Sequence, residues 1–173
     1  MYSRVSEASR RALLAAHIVT AVGVLGADLA LLALGIGGLL GIDARAVYPA
    51  AHLVASRVIV PLAGGAFGTG ILLGLVTSYG LVRYWWVATK LAITVVLGTV
   101  VLAVLVPGLQ RAAELAMSGD FDVLGSSQRL RYAIAPAVAS TLLAFNVVLA
   151  VYKPPWRLRR GMRAPSNHGD ITA

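Results

Sequence analysis

Four ionisable side chains and one amide in this sequence sit where such groups are costly: His17, Asp28, Arg57, Lys90 and Asn146 all lie within long apolar runs. An ionisable group at the centre of a membrane helix costs roughly 2.5–3.5 kcal/mol on insertion scales. Such a cost is retained only where pairing, reach to the headgroups or function offsets it. A neutral imidazole at His17 would ligate iron or accept a proton, and Lys90 would supply a positive charge or a proton. Asp28 and Arg57 carry opposite charges, and Asn146 brings a donor and an acceptor.

Depth along the helices sorts these groups into two layers. At ~1.5 Å per residue, His17 lies about 6 Å past Leu13, Lys90 about 6 Å past Trp86, and Asn146 about 8 Å from the same side on the last helix. A His, Lys and Asn layer is one outcome. The other is that Lys90 snorkels along its four-carbon stem to the headgroups, with Trp86 one turn back covering the stem. Towards the opposite side, Asp28 lies about 9 Å from the helix end near Leu34 and Arg57 about 6 Å past Leu53. Their matched depth predicts an ion pair, read either as a packing device or as part of a polar pocket. Pro61 cannot donate to the Arg57 carbonyl, nor Pro136 to that of Tyr132, so a kink and a free acceptor are expected at each. His52 falls at that far interface, facing headgroups or water. His17 and His52 therefore lie on opposite sides and do not clamp one iron.

These residues need elements long enough to carry them across a bilayer. The chain has 173 residues, 58% apolar and 13% charged, with a mean hydropathy of +0.81, far from a soluble domain. Four runs reach the ~20 residues that a membrane helix requires, at about 12–35, 48–78, 85–106 and 130–152. Pro107 reads as the stop of the third, after which a polar stretch leaves the membrane, and Pro154 and Pro155 end the fourth. The expected fold is all-α: an integral membrane four-helix bundle within residues 1–153. Residues 154–173 form a basic tail that reads as disordered. The first run continues well beyond the ~7–15 residues of a signal-peptide core, so it is taken as a helix that stays.

The charges set the expected orientation. Arg4, Arg10, Arg11, Arg83, Lys153, Arg157, Arg159, Arg160 and Arg163 fall on one side of the four-helix hairpin, and Arg45, Arg111, Arg129 and Arg131 on the other. The positive-inside rule then puts both termini in the cytoplasm of a bacterium, with the chain multi-pass in the inner (plasma) membrane. Trp85, Trp86 and Trp156 fall at the cytoplasmic interface, where amphipathic aromatics belong. The net charge of +8 is accordingly a topology anchor against anionic lipid, and no nucleic-acid partner is expected.

Several chemistries are excluded or unsupported. Without cysteine there is no disulfide, thiol catalysis or thiolate metal site. The sequence shows no phosphate loop, catalytic triad or carboxylate metal cluster, and no metal site is expected. The small-xxx-small patterns Gly64–Gly68 and Gly70–Gly74 favour close helix approach.

At "AAHIVTAVGVLGADLALLAL", "SRVIVPLAGGAFGTGILLGL" and "RYWWVATKLAITVVL" the sequence resembles an actinobacterial family of four-helix integral membrane proteins of unknown function. More distantly, the early His17 and the Trp86, Lys90, Leu91 spacing are similar to HemJ-type protoporphyrinogen oxidases and CopD-like membrane proteins, from which the chain departs at Val24 and Ala88. That resemblance implies a haem-ligand or catalytic role for His17, and a place for Lys90 in the same site.

Three functional readings follow. The first is a structural or complex-associated membrane bundle, without cofactor, whose partners are the bilayer and a second copy or a larger membrane complex. The second is a haem-binding or porphyrin-oxidising enzyme using His17 and Lys90, and the third is a small-solute or proton carrier using Asp28 and Arg57.

Overall fold

The computed structural model describes residues 6–76, 85–120 and 124–152, without the Trp86 and Val151 side chains. The expectations for Arg4, Arg83, Trp86, Trp156 and the basic tail lie outside that set. The described residues are helical or connecting, with no strand. Helix α1 is Glu7–Leu39 and α2 is Ala44–Leu53; a π-helical turn at Val54–Ile59 joins α2 to α3, Val60–Val76. Helix α4, Trp85–Val100, runs through a second π turn, Val101–Leu105, into α5, Val106–Ser118, and α6 is Ser126–Tyr152. Four continuous stretches are long and apolar enough to cross a membrane: Glu7–Leu39, Ala44–Val76, Val87–Ser118 and Ser126–Ala150.

Local chemistry explains the ends. The Ser6 hydroxyl accepts from the Ser9 amide at 3.1 Å and caps α1. After α1, Gly41 takes φ 85°, a region that favours glycine, and Asp43 caps α2 by accepting from the Arg45 amide at 3.0 Å. Gly119, at φ 91°, ends α5 in the same left-handed way.

Pro107 does not stop the third span, as the sequence suggests, and the helix continues to Ser118. The reason repeats at Pro61. In each case a π turn closes one residue before the proline: the Val60 amide bonds the Ala55 carbonyl, and the Val106 amide bonds the Val101 carbonyl. The extra residue in the turn shifts the ladder where the ring has no N–H to give. The second span likewise starts before the expected position, at Ala44.

Packing divides the bundle into a tight end and a loose end. Along α1, Val24, Asp28, Leu31 and Gly35 form a buried stripe at helical spacing, matched on α6 by Ala133, Pro136 and Ser140. A Cβ at Gly35 would run into the Tyr132 carbonyl and come within 2.9 Å of the Ala133 Cα. That carbonyl is the acceptor freed by Pro136, and only glycine lets α1 lie against it. Away from the termini, Leu31, Val47, Tyr48, Ala51, Ala55, Ile59, Leu105, Leu109, Ala112 and Leu124 form one cluster. Tyr48 and Tyr132 meet edge to face there at 5.8 Å, and the Tyr132 hydroxyl donates to the Gly108 carbonyl at 2.8 Å. Arg45 reaches across from α2 to the Ala116 carbonyl of α5 at 3.3 Å.

At the end carrying the termini, no described residue of α3 or α4 is buried. Outward-facing Val19, Leu75, Val96, Val104 and Val148 are exposed, the arrangement expected of helices whose surroundings are hydrocarbon.

Candidate functional site

Asp28 is 3% exposed, and its carboxylate accepts a 2.6 Å hydrogen bond from the Ser140 hydroxyl of α6. The expected Asp28–Arg57 ion pair is not formed. Among the described residues the ion pair seen joins Arg11 to Glu7, within the first turns of α1. The depth argument itself holds. His17 lies beside Thr69, Thr20 beside Gly65 and Gly23 beside Leu62, so α1 and α3 run antiparallel, and continuing that register brings Asp28 level with about Arg57. Level is not direction: Asp28 faces α6, whereas Arg57 is exposed on the outer surface of the second span. Ser140 was legible only through its place on the same α6 face as Ala133 and Pro136.

His17 is half-buried between α1 and α3. Its Nδ1 lies 3.0 Å from the Ala66 carbonyl and 3.1 Å from the Thr69 hydroxyl. A carbonyl only accepts, so Nδ1 carries the proton, and in a neutral ring the lone pair is on Nε2. Thr69 in turn donates to the Gly65 carbonyl at 2.6 Å, which fixes its oxygen as the second acceptor facing the imidazole. A Cβ at Gly70 would come within 3.1 Å of the His17 Cε1, so the ring packs where α3 has no side chain. The open Gly64 and Gly68 positions take no part, since a Cβ at either meets nothing within 4 Å.

Lys90, half-buried on α4, lies close enough to His17 for the two charges to act on one another. Two members of the expected inner layer are thus within electrostatic reach of each other, with no bond between them. Asn146 is 8% exposed on α6, but its Oδ1 has no hydrogen-bond partner and it joins neither of them. His52 is similarly placed with an unpartnered Nδ1, on α2, away from His17. Thr69 was not singled out from the sequence, its signal being only the helical spacing that faces it towards α1, whereas Gly70 belongs to the Gly70–Gly74 pattern expected at a close approach.

The bond from Nδ1 to a backbone acceptor fixes the tautomer and the ring orientation, as it does for histidines that ligate through Nε2. Were a haem bound, the His17 Nε2 could hold its iron and Lys90 could supply a positive charge. Among the described residues, no group of three His, Cys, Asp or Glu side chains is arranged to hold a metal ion.

Fold and site together define an all-α protein with four helices long and apolar enough to span a membrane, and with polar side chains joined across its interior. Comparison with protein-family models, with curated proteins and with solved structures found no match.

Proposed function

We propose that this chain is a multi-pass protein of the bacterial inner membrane, with both termini cytoplasmic, that serves as a structural or complex-associated bundle rather than as an enzyme. The observation that carries this reading is the Asp28–Ser140 bond. A carboxyl group that is 3% exposed within a membrane-length helix is spent on holding α1 to α6. A side chain so engaged acts as a packing device. The test is native mass and absorption of gently purified protein. A mass above the 18.0 kDa of one chain, without a chromophore, is expected; a monomer with a stoichiometric Soret band would overturn the reading.

A second reading, haem or porphyrin binding at His17, is favoured by the anchored Nδ1 and by the Lys90 charge within electrostatic reach of the ring. Haem, when bound, supplies the redox chemistry; the chain supplies the Nε2 ligand and a positive charge. It also agrees with the resemblance at His17, Trp86, Lys90 and Leu91. Haem titration of the wild type, His17→Ala and Lys90→Arg tests it: a Soret band lost in His17→Ala supports the site, and no specific band in any variant ends it. The carrier reading has lost the Asp28–Arg57 pair on which it relied.

A further inference from the structure

Lys90 is a half-buried cation in a membrane-length helix, and among the described residues its ammonium has neither a carboxylate within ion-pair distance nor a hydrogen-bond acceptor. The titratable group that acts on it electrostatically, His17, is a base, which bears either no charge or a like charge and so cannot cancel that of Lys90. Intramembrane charges are retained with a partner, and none has been found within the described chain.

The surroundings say what kind of partner fits. Helix α4 touches α3 and α6 only sparsely, and none of its described side chains is buried. Val87, Leu91 and Ile93 are half-exposed on this helix, so apolar wall borders the ammonium. Lys90 lies five residues past Trp85, about 7 Å along the helix axis, within the reach of its own stem from the interface. A group that is anionic at the interface and apolar below it matches both features. We infer that the sparsely packed face of α4 around Lys90 holds an anionic phospholipid, its phosphodiester against Lys90 and an acyl chain along the α4 wall. A zwitterionic lipid carries the same phosphate but brings a second cation to an end of the chain that already holds Arg10 and Arg11. The haem reading draws on the same Lys90 charge, so lipid and haem are alternatives at this residue.

The test uses the full chain in mild detergent, supplied with equal amounts of phosphatidylglycerol and phosphatidylcholine, with retained lipid counted by native mass spectrometry. One phosphatidylglycerol per chain should be kept, preferred over phosphatidylcholine by about tenfold, the factor that one charge-assisted contact provides. Lys90→Gln should remove the preference, Lys90→Arg should keep it, and Arg10→Gln should leave it unchanged. Equal retention of both lipids by the wild type overturns the inference, as does full preference in Lys90→Gln or a lipid-free dimer as the sole species. The wild-type ratio decides even if Lys90→Gln does not fold.

Discussion

The Asp28–Ser140 bond gives the sharpest test of how the bundle is held. Ser140→Ala removes the donor to a carboxylate that is 3% exposed, and the bond is short, at 2.6 Å. A hydrogen bond to a charged group is worth about 1.5–3 kcal/mol, and the unpartnered carboxylate left behind sets the loss near 2 kcal/mol. Asp28→Ala should cost a similar amount, since it leaves the Ser140 hydroxyl unpaired in the same place. The coupling is the decisive quantity. Polar pairs between membrane helices average about 0.6 kcal/mol and reach about 1.7 kcal/mol, because the unfolded chain in lipid also finds partners. Burial and short length place this pair towards the top, so the double variant should be about 1–1.7 kcal/mol less damaged than the sum of the singles. Unfolding in mixed detergent, followed by circular dichroism, measures all three. Arg57→Ala belongs in the same series and should change stability by less than about 0.5 kcal/mol, as for an exposed side chain without an ion pair. Additive losses at Asp28 and Ser140, or coupling between Asp28 and Arg57 instead, would refute the reasoning.

Glycine substitutions should separate close approach from open surface. Gly35→Ala should destabilise by about 1–3 kcal/mol, because its methyl group meets α6 backbone, which does not yield as a flexible side chain does. Gly64→Ala and Gly68→Ala, with open space around them, should be neutral or stabilise by up to about 1 kcal/mol in the same unfolding assay. Tyr132→Phe removes the bond to the Gly108 carbonyl and should cost about 0.5–1.5 kcal/mol, read as a lower unfolding midpoint. Single cysteines at Ser118 and Ser166 should label from opposite faces of intact cells and inverted vesicles; labelling of both from one face refutes the orientation proposed from the charges.

The sequence by itself determined the class of structure, because hydropathy and length are properties of each segment alone. A run of about 20 apolar residues must close its backbone hydrogen bonds internally wherever lipid surrounds it, and helix is the form that does so within one segment. Depth was legible for the same reason: a fixed rise per residue puts Asp28 level with Arg57 and His17 level with Lys90 before any packing is known. The ends were read less well. Pro107 looked like a stop because a proline removes a hydrogen bond, yet one extra residue in the preceding turn shifts the ladder and lets the helix continue.

What only the tertiary structure decided was direction. Rotation about a helix axis is set by the neighbours it packs against, and in a helix that is apolar all round the sequence carries little signal of which face that will be. Packing of α1 on α6 turned Asp28 to Ser140, while the second span left Arg57 facing outward. The antiparallel seating of α1 on α3, close at Gly65 and Gly70, brought His17 to Ala66 and Thr69, and the position of α4 set the Lys90 charge within electrostatic reach of His17. Each of those partners is distant in sequence, so the choice among residues at the same depth was made by side-chain packing between helices.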